Sequence, residues 1–503
     1  MHEPMKTNIL YVLGWLCLVL CSACEKLGLD QLGATAADEA DFNLENTFTN
    51  PLIPRGADPW VIQKDGTYYF TYTQGSKLVL FKTKAMSELA LAPQTDAWIP
   101  PSGTMYSSNI WAPELHAFND KWYIYFAADN GSNANHRMYV VENTSADPTQ
   151  GTWVLKGKVA DSSDQWAIDG TVFEYQGQMY MMWSGGNAGA APQRLYIARM
   201  SNPWTIESEK VIISSPTYSW EMTGSAINEG PQVIINPDGQ LLVVYSGSGY
   251  WVDTYCLGLL TLNVNGDPLN PADWVKTPTP VFSMNAASGA FGPGHNGFFK
   301  SADDTEDWII YHARSAAGGG ARNARIQKFT WNADGSPNFG IPVKIDSPVV
   351  KPSGEPIRKI YKTDNWSIAG FSSEETNNSR LAIRLIDNDV STFWIARYSS
   401  NPTSYPNHWI SVDMGNIVPV DGFVFIQKSG DRKIKELEIL VSNDNATWES
   451  LGIATLLNLN PNKLYYNLPA RKEFRYFKLV PISGHDTQPQ PGLAEAGTFI
   501  LAD

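Results

Sequence analysis

Four acids and a histidine recur along the chain in similar local settings: Asp58 in Ala-Asp-Pro, Glu114 in Pro-Glu-Leu, Asp169 in Ile-Asp-Gly, Glu229 in Asn-Glu-Gly-Pro and His295 in Gly-His-Asn. They stand about 55 to 66 residues apart, a repeat length that marks a propeller or an array. Each is followed by apolar strands around a turn such as Asp65-Gly66 or Gln176-Gly177, which reads as an antiparallel hairpin. The innermost strand of every propeller blade runs beside the central axis, so the five residues are expected to meet in one funnel. A funnel of acids suits cleavage of a glycosidic bond. That reaction needs a protonated acid at the leaving oxygen and a carboxylate on the opposite side of the sugar, with space for a water between them if configuration inverts. A single acid beside Pro or Gly is ordinarily a turn residue bonding its own backbone. Three acids heading successive units weaken that ordinary explanation.

The elements that must position them come next. The repeats fill residues 51–348, with further strands such as Arg137–Val141, Arg194–Ala198 and Ile326–Trp331 after each leading pair. About four strands per repeat is the arithmetic of a propeller blade, and few segments show helical periodicity. Residues 349–365, with Lys351-Pro-Ser-Gly-Glu-Pro356, read as a linker. From 366 to 503 the period stops and short strands such as Trp409–Met414, Gly422–Gln427, Leu437–Val441 and Tyr476–Val480 predict a β-sandwich. The expected fold class is all-β, a five-bladed propeller followed by a sandwich.

A formal charge of −14 and the absence of a Lys/Arg-rich run exclude a nucleic-acid footprint. An uncharged glycan partner is compatible with that charge, and 18 Trp suit sugar stacking as well as sheet packing. Lys6, the apolar stretch Ile9–Leu20 and Cys21-Ser-Ala-Cys24 read as an export signal, too short for an ordinary membrane span. The ending resembles a bacterial lipoprotein signal. Residues 1–24 would then be a leader with Cys24 the lipidated residue, the anchor would be the only membrane contact, and 25–50 would be a tether. An outer-membrane or cell-surface location is expected, with a periplasmic or secreted protein as the alternative. Cys17, Cys21 and Cys24 fall in the leader, which leaves Cys256 alone and rules out a disulfide framework.

The motifs together resemble glycoside hydrolase family 43, in the branch containing exo-acting α-L-arabinofuranosidases. The residues that carry the resemblance are Arg55-Gly-Ala-Asp58-Pro-Trp60, Asn109-Ile-Trp-Ala-Pro-Glu114, Trp166-Ala-Ile-Asp169-Gly-Thr171, Asn228-Glu229-Gly-Pro231, Gly292-Pro-Gly-His295-Asn296 and Tyr311-His-Ala-Arg314. Any one of these is weak; all of them in order at blade spacing are specific. The resemblance implies inversion with Asp58 as general base, Glu229 as general acid, and Asp169 as a third carboxylate that raises and orients the acid. Glu114 is expected to support the site from behind. Trp111 would form a wall of the sugar pocket, and Arg322 would meet substrate hydroxyls or the acid, with Arg314 and Arg325 competing for that place. The resemblance also implies a calcium ion at the axis, held by His295 largely through water, and no organic cofactor.

The C-terminal segment resembles a discoidin-like, coagulation-factor C-type domain through Ile386-Asp-Asn-Asp-Val-Ser-Thr-Phe-Trp394, Trp409-Ile-Ser-Val-Asp-Met-Gly415 and Val441-Ser-Asn-Asp-Asn-Ala-Thr-Trp448. Such a module implies glycan binding. The whole chain is expected to be a monomeric exo-glycosidase releasing terminal α-L-arabinofuranose from plant-type glycans. A β-xylosidase or exo-β-galactosidase of the same fold and a non-catalytic glycan-binding lipoprotein are the alternatives.

Overall fold

The computed structural model describes residues 41–460 and 462–502. The expected leader, its Cys24 and residues 25–40 of the tether lie outside them. The chain divides into two compact units, 46–357 and a second made of 358–503 with the segment that ends at Glu45.

The first unit is the propeller. Blade 1 runs Trp60–Lys64, Thr67–Thr71, Leu78–Thr83 and Gln94–Trp98; blade 2 runs Ser108–Phe118, Lys121–Asp129, Arg137–Asn143 and Val154–Val159. Blade 3 holds Trp166–Tyr175, Gln178–Asn187 and Ala190–Asn202, whose last strand pairs with both Thr205–Ile206 and Val211–Ser214. Blade 4 is Asn228–Ile235, Leu241–Gly247, Cys256–Leu262 and Trp274–Lys276; blade 5 is Phe291–Lys300, Asp307–Arg314, Asn323–Trp331 and Pro337–Asn338. All pairings within blades are antiparallel. Each innermost strand touches the next, and that of blade 5 returns to that of blade 1.

Blades adhere through apolar cores between neighbouring sheets. Leu78 and Leu80 of blade 1 meet Trp122, Ile124 and Phe126 of blade 2, while Phe70 of blade 1 meets Trp308 and Ile310 of blade 5. Burying each such side chain contributes about 1.5–3 kcal/mol, so most aromatic residues here fill inter-blade space rather than present a sugar platform. The segment before blade 1 locks the ring. Leu52 and Gly56 donate their N–H groups to the Ala324 and Arg322 carbonyls, and the Asn50 amide bonds both the N–H and C=O of Ile326. A Cβ on Gly56 would fall 2.6 Å from that of Ala324, so this close approach requires glycine.

The second unit is a β-sandwich. Two long strands, Ile410–Ile426 and Lys463–Gly484, pair along most of their length and break register between Asp413 and Val418 and between Val420 and Gly422. Such irregularities let a long strand bend from one layer toward the other. Phe423, Phe477, Leu479 and Ile439 are fully covered inside it.

The connecting segments differ from expectation. Phe42–Glu45 of the expected tether pairs with Arg358–Tyr361 of the expected linker as strands of the C-terminal sheet. Thr47–Thr49 pairs instead with Pro348–Val350 in the propeller unit. These stretches are only three or four residues long, too short to show a period of their own, so their strand character comes from the partner they find.

Candidate active site

At the funnel the innermost strands are not regular. Register slips between Trp111 and Glu114, between Ile168 and Thr171, between Glu229 and Gln232, and between Gly294 and Gly297. Asp58, Ala112, Asp169 and His295 adopt left-handed φ angles of 55°, 42°, 54° and 46°. Such conformations cost about 1 kcal/mol or more at a non-glycine residue, and bulges re-aim side chains beside sites. The sequence reading placed these residues at the heads of strands. Ala112, Asp169, Glu229 and His295 sit at these register breaks, whereas Asp58 lies just before Trp60–Lys64, whose pairing is regular.

Asp58 is buried in cationic and polar company. Its Oδ1 accepts from Arg322 Nη1 at 2.7 Å, and its Oδ2 accepts from the Thr73 hydroxyl at 2.7 Å. His295 Nδ1 lies 3.4 Å from Oδ1, and the Asp58 N–H donates to His312 Nδ1 at 3.1 Å. Burial alone would raise the carboxyl pKa. The Arg322 guanidinium, the two imidazoles and the Thr73 bond outweigh burial and hold it well below the usual carboxylate range.

Glu229 is as buried as Asp58, 7% against 8% exposed, yet its proton is held in the opposite sense. Its Oε1 accepts from the Tyr255 hydroxyl at 2.8 Å. Burial pushes its pKa up to about 7; the Tyr255 bond and Arg322 pull down, while the Asp58 charge pushes further up. Asp169 accepts from the Gly230 N–H at 3.1 Å, next to Glu229. Burial first, then the charges of Glu229 and Asp58, raise Asp169 well above the carboxylate range. Asp169 and Glu229 therefore titrate as a pair that retains a proton near neutrality.

Glu114 does not face the funnel as an open acid. It is tied to the Gln232 amide and to His116 Nε2, the latter at 2.9 Å. Trp111 is half-buried and lies flat on His136, with centroids 4.0 Å apart; His136 is itself fixed by Asp129 at 3.0 Å. The neighbouring Ala112 N–H donates to Thr73 Oγ1, which links the backbone beside Trp111 to Asp58. Of the three competing arginines, Arg322 alone bonds Asp58. Arg314 holds the Trp251 carbonyl and Asp253, and Arg325 is buried against Asn323, Ser315 and the carbonyls of Gly289 and Arg314.

His295 donates its N–H to Ser246 Oγ and directs Nδ1 toward Asp58. Among the described residues no three His, Cys, Asp or Glu side chains gather as a metal cluster. His295 would hold a calcium ion at the axis through water rather than as part of a protein oxygen shell, and no step below runs through one.

Thr73, Tyr255 and His312 touch the acids directly and were missed from sequence. Thr73 carries no local signal. His312 lies within Tyr311-His-Ala-Arg314, so that motif was the available pointer, and Tyr255 precedes an ordinary buried strand.

Comparison with known proteins gives matches over both units. The model of glycosyl hydrolases family 43 matches residues 48–337, and that of the F5/8 type C domain matches 368–495. An extracellular exo-α-(1→5)-L-arabinofuranosidase of Streptomyces avermitilis is 40% identical over 329 residues, covering 63% of this chain and 68% of that protein. The α-L-arabinofuranosidase B of Pyricularia oryzae is 36% identical over 364 residues, covering 69% of this chain and 73% of its own. The crystal structure of an α-L-arabinofuranosidase from Lactobacillus brevis superposes with a TM-score of 0.57 at 37% identity, covering 60% of this chain and 98% of that one.

Proposed function

Because the chain belongs to glycosyl hydrolases family 43 and is a glycosidase, we propose that it is an inverting exo-α-L-arabinofuranosidase in which Asp58 is the base and Glu229 the acid. The observation that carries the assignment is the opposite surroundings of two equally buried carboxyls in one funnel: Asp58 is paired with the Arg322 guanidinium, while Glu229 meets only the neutral Tyr255 hydroxyl by a direct bond. Asp58, kept ionised, takes a proton from a water as that water attacks the anomeric carbon. Glu229, kept protonated near neutrality, delivers its proton to the departing glycosidic oxygen as the C–O bond breaks. The water attacks from the face opposite the leaving oxygen, so the sugar departs with inverted configuration; one proton enters the leaving alcohol and one leaves the water, and Asp58 releases a proton and Glu229 regains one before the next turnover. Asp169, through its bond to the Gly230 N–H and its charge, orients Glu229 and keeps the pair's proton. Arg322 keeps Asp58 ionised, and its half-open edge is available to sugar hydroxyls. Trp111, braced on His136, offers an apolar wall.

The sugar is read from the relatives, several of which are named arabinofuranosidases. Release from nitrophenyl α-L-arabinofuranoside, compared with the β-xyloside and β-galactoside, tests it, and NMR of the first product tests inversion. Faster turnover of either alternative glycoside, or retained configuration, overturns the reading.

Export with a lipid anchor on Cys24 is part of the same proposal; it is supported by the leader sequence and by Streptomyces relatives named extracellular. Labelling with a radioactive fatty acid that is lost in Cys24→Ala checks it. The F5/8 type C module is proposed to bind glycan.

A further inference from the structure

The motif Tyr311-His-Ala-Arg314 enters no step of the chemistry above, yet its histidine touches Asp58 and stacks on the tyrosine that bonds Glu229. His312 is fully buried, and its Nδ1 accepts the Asp58 backbone N–H at 3.1 Å. A ring nitrogen that accepts is unprotonated, so His312 is the neutral tautomer with its proton on Nε2. Burial, and then the Arg322 charge, hold its pKa well below the usual imidazole value.

The His312 ring lies parallel to that of Tyr255, with centroids 5.7 Å apart and planes within 2°. Tyr255 is fully buried, and its hydroxyl donates to Glu229 Oε1 at 2.8 Å. The same hydroxyl bonds Ser246, whose Oγ accepts the His295 N–H. Tyr255 has one proton to give, and Glu229 receives it. Gly294, the cross-strand partner of His312, also packs close against this ring: a Cβ on it would fall 2.3 Å from Tyr255 Cε1. A continuous contact thus runs from the Asp58 backbone through the His312 ring and the Tyr255 ring to the Glu229 carboxylate.

We propose that His312 and Tyr255 form a stacked spacer that fixes the separation of base and acid, with the Tyr255 hydroxyl engaging one oxygen of Glu229 so that the other carries the proton toward the leaving group. Both are positioning residues. Inversion needs the two carboxyls far enough apart to admit a water, and a rigid parallel ring pair sets such a distance better than flexible side chains. The inference rests on the assignment of Asp58 and Glu229 made above.

Glu229 faces Tyr255, Asp58, Arg322 and Asp169 from separate elements. Of these, Tyr255 is the one whose neutral hydroxyl favours the ionised acid by donating to it. Tyr255→Phe keeps the ring and the stack and removes that donor. The alkaline limb of the kcat profile should move up by about one pH unit, and kcat at its optimum should fall about tenfold with KM changed less. His312→Asn places an amide oxygen where Nδ1 accepts the Asp58 N–H but removes the stacking ring. If the spacer operates, it should also move the alkaline limb upward, although His312 does not bond Glu229. The double variant should show the shift once, not twice.

Glu229→Gln supplies the control for the underlying assignment. It should abolish the alkaline limb and spare substrates with good leaving groups relative to poor ones. If it leaves the limb in place, the acid has been misassigned. If it removes the limb while Tyr255→Phe and His312→Asn leave theirs where the native enzyme has it, the spacer is overturned and the acid assignment stands.

Discussion

The propeller and the C-terminal unit both enclose carboxylates, and they differ in what those carboxylates are bonded to. In the propeller, Asp58 is held by side chains 254 and 264 residues away in sequence, and Gly230 meets Asp169 across 61. In the C-terminal unit, Glu375 accepts from the N–H groups of Asn377, Tyr398 and Ser399 and from the Ser399 hydroxyl, while Asp413 forms a two-pronged pair with Arg475. Burial would raise Glu375, but its four donors outweigh that and lower it. A carboxylate satisfied by loop backbone is committed to holding the loop. The C-terminal unit has one acid pair of its own, Glu495 pushed up by burial and by Asp387, but where the blades converge three buried carboxyls, Asp58, Asp169 and Glu229, act on one another in one funnel, and that suits the movement of a proton.

The largest effects should come from breaking the funnel pair itself. Asp58→Asn and Glu229→Gln should each lower kcat by about 10²–10⁴-fold on substrates with poor leaving groups, with thermal unfolding little changed. Glu375→Gln should do the reverse. It exchanges one acceptor oxygen for an amide among backbone donors, which costs stability of about 1–3 kcal/mol and leaves kcat intact. A kcat loss in Glu375→Gln comparable to those of the funnel variants would erase the distinction between the two regions.

Next in size is Arg322→Gln. Asp58 works ionised, so activity falls at the acid side as pH drops through its pKa. Removing the guanidinium that offsets burial should raise that pKa, and the acid limb of kcat/KM should move up by about one to three pH units. The alkaline limb should rise less, since burial and the Tyr255 bond weigh more on Glu229 than the Arg322 charge does. An unmoved acid limb would reassign Arg322 to substrate contact alone.

Asp169→Asn should have a smaller effect with the opposite sign. The pair keeps a proton near neutrality because two carboxylates cannot easily ionise together. With one carboxylate replaced by an amide, Glu229 loses its proton at lower pH and the alkaline limb moves down. A limb that stays fixed would leave Asp169 only its orienting bond to Gly230.

How much of this was readable without coordinates follows from the same contrast. The five blades were legible because each repeats the same strands, and Asp58, Asp169 and Glu229 were legible because each sits in a short motif at the start of its blade. Thr73, Tyr255 and His312 were not. A hydroxyl or a ring becomes part of the site only through a neighbour brought in by another blade, and no local spacing records that. The two short pairings, Phe42–Glu45 with Arg358–Tyr361 and Thr47–Thr49 with Pro348–Val350, were read as tether and linker for a related reason. Three or four residues are too few to display a period, and what makes them strands is a partner some 300 residues away.

The smallest expected effect is that of removing the C-terminal unit. A chain of residues 46–357 keeps every contact described for the funnel, since Asp58, Thr73, Asp169, Glu229, Tyr255, His295, His312 and Arg322 all fall within that compact unit. It also keeps the Thr47–Thr49 pairing and the bonds of Asn50, Leu52 and Gly56 to blade 5 that lock the ring. Turnover of a small aryl arabinoside should therefore stay within about twofold of the full chain. On a branched or linear arabinan the truncated enzyme should be slower at low polymer concentration, because a second binding module raises the local concentration of the catalytic unit near chain ends. That deficit should vanish as polymer approaches saturation, since avidity alters occupancy and leaves the chemical step untouched. Rates on both substrates, with circular dichroism to verify the fold, decide between roles. Equal losses on aryl glycoside and polymer would show that the sandwich supports the propeller structurally. Equal rates on polymer at every concentration would show that its ligand is something other than the substrate.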